Sequence, residues 1–145
     1  MHTHRTITFD VERFIMLDAI TDCTATVLTA EKHFANAPAY LALEAMAQTG
    51  GMHFRHCMKF SRHAFLLSIQ DTSVLPSMPL SGLAKTTVTQ TAQTDSTAAY
   101  TIQFSCADVY IKGTFLFGCT DYGAQFSQSA LTTHYRELFQ CLQNA

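Results

Sequence analysis

The stretch PAYLALEAMAQTGGM, residues 38–52, decides the expected fold of this chain. Ala, Leu and Met favour helix, and Pro38 stands where the first turn of a helix tolerates proline. From Ala39 to Ala47 the one charged residue is Glu44, and Gln48 follows one turn later on the same face. A helix that is apolar on every side is typical of a buried position. The sequence therefore predicts a buried helix that carries a carboxyl group inward.

Glu44 is the strongest candidate for chemistry. A carboxylate in apolar surroundings is costly unless it is paired, so we expect it to be partly protonated near neutral pH, as a general acid requires. The alternative is an ordinary cap or salt bridge at a domain edge. No Lys or Arg lies three or four residues from Glu44 on either side, which favours the functional interpretation. Gln48 is expected to bond to the sheet or to hold Glu44 in place.

The predicted helix runs from Pro38 to about Phe60 and contains Gly50 and Gly51. Each glycine costs roughly 1 kcal/mol relative to alanine, which predicts a close neighbour at the helix backbone. The second half of the helix is more polar. We interpret its histidines and cations as a solvated helix end rather than a metal site: His53, Arg55, His56, Lys59 and Arg62.

Composition limits the class of protein. The 145 residues are 48% hydrophobic and 14% charged, which fits a single domain, residues 1–145. A net charge of −2 without a basic run argues against nucleic acid as a partner, and no apolar stretch is long enough for a membrane span. Five scattered cysteines without a Cys-x-x-Cys pair, and no signal peptide, predict free thiols in the cytoplasm. We expect neither a metal nor a cofactor.

Alternating and β-branched patterns predict strands on both sides of the helix. The loop at 30–37 leads into the helix, and a Pro-rich irregular segment spans 74–82. A second helix, from Ser127 to about Gln143, has one apolar stripe. The fold class is α+β, with a mainly antiparallel sheet wrapped around one long central helix. The predicted strands are Phe14–Leu17, Cys23–Thr29, His63–Asp71, Leu83–Thr94, Ala98–Ala107 and Val109–Gly118.

The segment PAYLALEAMAQTGG, residues 38–51, resembles the central helix of the hotdog-fold β-hydroxyacyl-acyl-carrier-protein dehydratases, in which Glu-Ala-Met-Ala-Gln is a hallmark. The segments FIMLDAI (14–20) and FLLSIQDTSVLPSMPLSGLAKTTV (65–88) extend the resemblance over roughly residues 14–118. The short Pro-Ala-aromatic entry to the helix is most similar to the dehydratase-like proteins of aryl polyene biosynthesis. The resemblance implies a hotdog fold and removal of water from a 3-hydroxyacyl thioester.

The resemblance also implies a set of site residues. Glu44 matches the catalytic carboxylate, and Gln48 matches the glutamine that follows it. Backbone amides at the start of the helix would polarise the thioester carbonyl, and an acyl tunnel would run along the helix beside the 74–82 loop. The amides are those of Ala39, Tyr40 and Leu41, and the tunnel residues are Leu43 and Met46.

His33 is the position at which this chain departs from the dehydratase pattern. The dehydratases carry His-Phe-Pro-Gly and a second Pro-Gly before the helix, whereas this chain has His33-Phe-Ala-Asn-Ala-Pro38. Two interpretations stay open. His33 is the base that removes the C2 proton, or it matches a preceding position that takes no part in catalysis.

The expected partner is an acyl thioester of acyl carrier protein or coenzyme A, and a free sheet edge predicts at least a homodimer. Arg55, Lys59 and Arg62 are candidates to attract the phosphate of a phosphopantetheine arm or an acidic carrier protein. Two alternatives remain: an acyl-thioester hydrolase, and a non-catalytic acyl-binding subunit.

Overall fold

A computed structural model describes residues 15–73, 75–123 and 128–145. Six strands form one sheet in the order β1-β2-β4-β5-β6-β3, and every neighbouring pair is antiparallel. Two helices within the described residues accompany the sheet, and the α+β prediction is confirmed. In chain order the elements are β1 (Ala19–Cys23), β2 (Val27–Ala37), α1 (Leu41–Cys57), β3 (His63–Gln70), β4 (Leu80–Gln93), β5 (Thr97–Cys106), β6 (Val109–Thr120) and α2 (Gln128–Gln143).

Helix α1 packs against the sheet, and the two form one core. Ala42, Ala45 and Met46 are buried in its first half, and Phe54 is completely buried near its end. The helix ends earlier than predicted because Lys59 and Phe60 adopt left-handed backbone angles, with φ of 54° and 61°. The amide of Phe60 then donates to the carbonyl of Arg55 at 2.8 Å, which satisfies a free carbonyl at the helix end.

The strand predictions were wrong at the N-terminal end of the described chain. Residues 15–17 are not a strand, and Phe14 lies outside the described residues. The predicted strand Cys23–Thr29 is split by a turn, because the Thr24 hydroxyl accepts the amides of Thr26 and Val27 at 3.3 and 3.0 Å. The predicted loop at 30–37 was wrong, because these residues belong to β2.

At Gly50 the structure has the close neighbour of the helix backbone that the sequence predicts. A Cβ built at Gly50 would lie 2.7 Å from Cζ of Phe117 on β6. The missing side chain therefore lets the helix lie directly on the aromatic ring. At Gly51 a Cβ would instead lie 3.2 Å from Nη1 of Arg55.

A buried polar network, not a solvated helix end, surrounds His53. The side chain is fully buried, so the predicted exposure was wrong. Its Nδ1 lies 2.7 Å from the Tyr100 hydroxyl, and its Nε2 lies 3.0 Å from the carbonyl of Thr24. Gln90 Nε2 also donates to the Tyr100 hydroxyl at 3.0 Å. These bonds compensate the cost of burying the imidazole.

Burial lowers the pKa of His53 below its usual value. Because the unfolded chain then binds a proton at a pH where the folded chain does not, the contribution of His53 to stability falls as pH drops below about 6.5. We expect the free energy of unfolding in urea to be lower at pH 5.5 than at pH 7.5, with a slope of up to about 1.4 kcal/mol per pH unit from this group. His53→Gln should flatten that slope. Equal slopes in the two proteins would contradict the assignment.

Helix α2 covers the far side of α1. Phe139 and Leu142 are buried, and the Phe139 ring stacks on His56 with centroids 4.7 Å apart. The predicted stripe of Leu131, Tyr135, Leu138 and Leu142 is at least partly buried throughout. No helix within the described part of the chain is long and apolar enough to cross a membrane.

Candidate active site

Glu44 is fixed by a short chain of hydrogen bonds in the first half of α1. Nε2 of Gln48 donates to Oε1 of Glu44 at 2.8 Å. Oε1 of Gln48 accepts the backbone amide of Met16 at 2.7 Å. The amide of Gln48 therefore joins the candidate catalytic carboxyl group to the segment that precedes β1.

The orientation of the Gln48 amide follows from its partners. The Met16 N–H can only donate, so the side-chain oxygen of Gln48 must face it, and the NH2 group must face Glu44. Among the described residues, the second carboxyl oxygen of Glu44 has no hydrogen-bond partner. One oxygen of the carboxyl group is therefore held in place while the other is available to a substrate or a water.

Glu44 is exposed, so the prediction that the helix buries this side chain was wrong for the single chain. Positions 42, 45 and 46 are buried, whereas position 44 on the same helix is exposed. The described residues place no Lys or Arg in an ion pair with Glu44. The carboxyl group is thus neither neutralised nor enclosed by its own chain.

His33 lies on β2 rather than in a loop. Its neighbour Phe34 is buried and packs on Phe104, with ring centroids 6.3 Å apart. Since successive strand residues point to opposite faces, the exposed His33 side chain points away from the core. Its backbone amide donates to Oδ2 of Asp18 at 2.7 Å. The described residues show no hydrogen bond between His33 and Glu44.

The start of α1 has fewer backbone amides without a hydrogen-bond acceptor than expected. The amide of Leu41 donates to the carbonyl of Pro38 at 3.1 Å, so the prediction that it is free was wrong. The amides of Ala39 and Tyr40 have no partner among the described residues. Tyr40 is also 64% exposed, which leaves this end of the helix accessible.

The residues expected to line an acyl tunnel lie in different environments. Met46 is completely buried in the core, and Leu43 is half-buried against it. Leu80 in the 74–82 segment begins β4 and is also completely buried, whereas Met78 is exposed. Val74 lies outside the described residues.

The three cations near the end of α1 do not form one cluster. Arg62 pairs with Asp121 at 3.3 Å and donates to the carbonyl of Asp95. The guanidinium of Arg55 lies over the Tyr135 ring, 4.3 Å from its centroid, and Lys59 is exposed. Within residues 15–73, 75–123 and 128–145, no group of three or more His, Cys, Asp or Glu side chains is arranged for a metal ion.

Comparison with known proteins identifies the fold. No protein-family model and no curated protein sequence matches the chain. Solved structures do match, although at low sequence identity. The dehydratase heterocomplex ApeI:P from Xenorhabdus doucetiae is 12% identical, with a TM-score of 0.62 over 77% of this chain and 86% of that one.

Two further solved structures that match the chain are a thioesterase and a protein with bound acetyl CoA. A thioesterase from Pseudomonas aeruginosa is 14% identical, with a TM-score of 0.57 over 71% of this chain and 81% of that one. A Streptococcus mutans protein solved with bound acetyl CoA is 12% identical, with a TM-score of 0.57 over 71% of this chain and 88% of that one. The six-stranded antiparallel sheet around α1 matches these neighbours, and the chain has the hotdog fold.

Proposed function

We propose that this protein removes water from 3-hydroxyacyl thioesters of acyl carrier protein or coenzyme A, with Glu44 as the general acid. One observation carries the proposal. The Glu44 carboxyl group is held through one oxygen by Gln48, its other oxygen has no partner among the described residues, and no cation neutralises it. A group held in this way can exchange a proton with a ligand without first breaking an ion pair.

The reaction needs one acid and one base. Glu44, protonated, gives its proton to the C3 hydroxyl, which leaves as water, while a base takes the proton from C2. His33 points away from the core of its own chain, on the face of β2 opposite Phe34. We therefore propose that the base is supplied by a second copy of the chain. The free amides of Ala39 and Tyr40 are suited to polarise the thioester carbonyl.

The edge strand β3 supports an assembly of at least two copies. It pairs with β6 on one side only, and its other edge is open among the described residues. Phe65, Leu66 and Leu67 are 39%, 40% and 49% exposed there. Three consecutive exposed apolar residues on a free edge favour pairing with another strand. A second β3 would extend the sheet and bring two copies of α1 into one assembly.

Leu66→Lys tests this assembly. We expect wild-type protein to sediment as a dimer or larger oligomer and the variant to sediment as a monomer, because two lysines would meet at the paired edge. The matched control is Leu83→Lys, at a leucine 47% exposed on the inner strand β4. That control should leave the sedimentation coefficient unchanged. A Leu66→Lys protein that stays oligomeric would exclude β3 as the interface.

Thioester hydrolysis is the second candidate, and one observation favours it. A carboxylate with one oxygen available and no histidine bonded to it among the described residues could activate a water molecule alone. The Pseudomonas aeruginosa thioesterase has the same fold, but its identity of 14% leaves the chemistry of this chain to experiment.

Product analysis separates the candidates. Purified full-length protein is incubated with 3-hydroxyoctanoyl-coenzyme A, and enoyl absorbance and free thiol are followed together. Enoyl product without thiol is the expected result. Thiol release without enoyl product would identify a hydrolase, and neither product, with the thioester still bound, would identify an acyl-binding subunit.

A further inference from the structure

A cavity of about 220 Å³ lies beside α1, between the segment that precedes β1 and helix α2. Its volume is below the roughly 300–1,000 Å³ typical of sites for drug-sized ligands, so it suits a short chain or the end of a longer one. Most of its wall is apolar. The lining residues that matter here are Leu17, Gln48, Met52, Arg55, Tyr135 and Leu138.

Arg55 provides the positive charge of this cavity. Nη2 donates to the carbonyl of Ala64 at 2.9 Å, and the guanidinium lies over the Tyr135 ring at 4.3 Å. The helix makes room for it at Gly51, where a Cβ would lie 3.2 Å from Nη1. Nε is buried and has no hydrogen-bond partner within the described residues.

The charge of Arg55 has no counterion in the described part of the chain. The ion pairs there join Lys32 to Asp18 and Arg62 to Asp121. The other polar groups that line the cavity are those of Gln48, His134 and Tyr135, and none is a carboxylate. A half-buried cation without a counterion is costly, and an anion bound in the cavity would offset that cost.

We infer that this cavity binds a molecule with a short apolar body that ends in a carboxylate. The carboxylate would pair with the Arg55 guanidinium, and the apolar body would lie against Leu17, Met52 and Leu138. Two sources share this chemistry. One is a free fatty acid, and the other is an acyl thioester that carries a carboxylate at the far end of its chain.

The cavity also reaches the candidate active site. Gln48 lines the cavity and donates to Glu44, so one side chain separates the two. Arg55 lies seven residues beyond Gln48 on the helix, which is about 10 Å along the axis. The thioester source rests on the proposed function, because the acyl chain of the thioester would have to enter beside Glu44. The free-acid source does not depend on it.

Thermal denaturation of the full-length protein with three probes tests the inference. The probes are octanoate, octanamide and the N-acetylcysteamine monothioester of suberic acid, which has a free carboxylate. We expect octanoate to raise Tm, octanamide to have little effect, and Arg55→Met to weaken octanoate binding about 10- to 100-fold through loss of a charge-assisted hydrogen bond. Arg55→Lys should restore part of the binding, because it restores the charge.

The two sources give different results in this experiment. Stabilisation by octanoate identifies a free-acid site, and stabilisation by the suberyl thioester alone identifies a substrate subsite. If Arg55→Met does not fold, Leu138→Phe replaces it: this variant fills the cavity from α2 and should abolish binding. Equal stabilisation by octanoate and octanamide, normal binding by Leu138→Phe, or no effect of any probe would overturn the inference. Octanoate binding that persists while product analysis finds no turnover would overturn only the proposed function.

Discussion

Glu44→Gln should lower kcat/KM for a 3-hydroxyacyl thioester by about 10²–10⁴-fold, the usual contribution of one acid–base group. The amide cannot donate a proton to the leaving hydroxyl as a carboxylic acid does. Its oxygen can still accept the bond from Gln48 Nε2, and position 44 is exposed. The free energy of unfolding should therefore change by less than about 0.5 kcal/mol, as for ordinary surface substitutions.

Glu137→Gln is the matched control for this variant. Glu137 is also an exposed carboxylate on a helix, but it lies on α2 and lines no part of the proposed site. Its removal changes the net charge by the same amount and should leave kcat/KM unchanged. Turnover that survives Glu44→Gln at the wild-type rate would remove the acid role of Glu44.

Gly50→Ala should lower the free energy of unfolding by up to about 2 kcal/mol, because overfilling a packed core costs about 1–3 kcal/mol and helix propensity returns about 1 kcal/mol. The added methyl group would lie 2.7 and 2.8 Å from two atoms of the Phe117 ring, and 3.0 Å from Cδ1 of Ile102. Both neighbours are buried in the sheet and cannot move freely. Urea unfolding of the two proteins measures the difference.

The adjacent Gly51→Ala separates packing from helix propensity. Its Cβ would meet the end of the Arg55 side chain at 3.2 Å and a Phe117 ring atom at 3.7 Å. The guanidinium can shift, and the propensity gain is the same as at Gly50. Gly51→Ala should therefore be neutral or stabilising. An equal loss of stability in both variants would show that the Phe117 contact does not explain the glycine at position 50.

Local pattern was sufficient to predict the main elements of the fold. The Ala- and Leu-rich run predicts α1, and the alternation of Tyr100, Ile102 and Phe104 predicts the inward face of β5, where all three are buried. These predictions succeed because apolar residues recur with different periods in helices and in strands. The period is visible in residues that are close together in the sequence. The turn at Thr24 depends on a single hydroxyl, which is a weaker signal.

The environment of each candidate site residue could not be predicted in the same way. Burial of one side of a helix depends on which segment packs there, and this information comes from residues far away in sequence. Glu44 was expected inside the core, but its side chain is exposed. His53 was expected in solvent, although it follows Met46 and Gly50 at helical spacing and shares their buried face. Its hydrogen bond to Tyr100 joins residues 47 positions apart.

A structure of the assembled protein with a non-reactive 3-hydroxyacyl thioester analogue tests the central claim most directly. The quantity to measure is the distance from the free oxygen of Glu44 to the C3 hydroxyl of the analogue. We predict a hydrogen bond of about 2.6–3.2 Å, with a second copy of the chain enclosing the carboxyl group. A Glu44 side chain that points into bulk water, with the thioester bound elsewhere, would contradict the claim and leave only the hotdog fold.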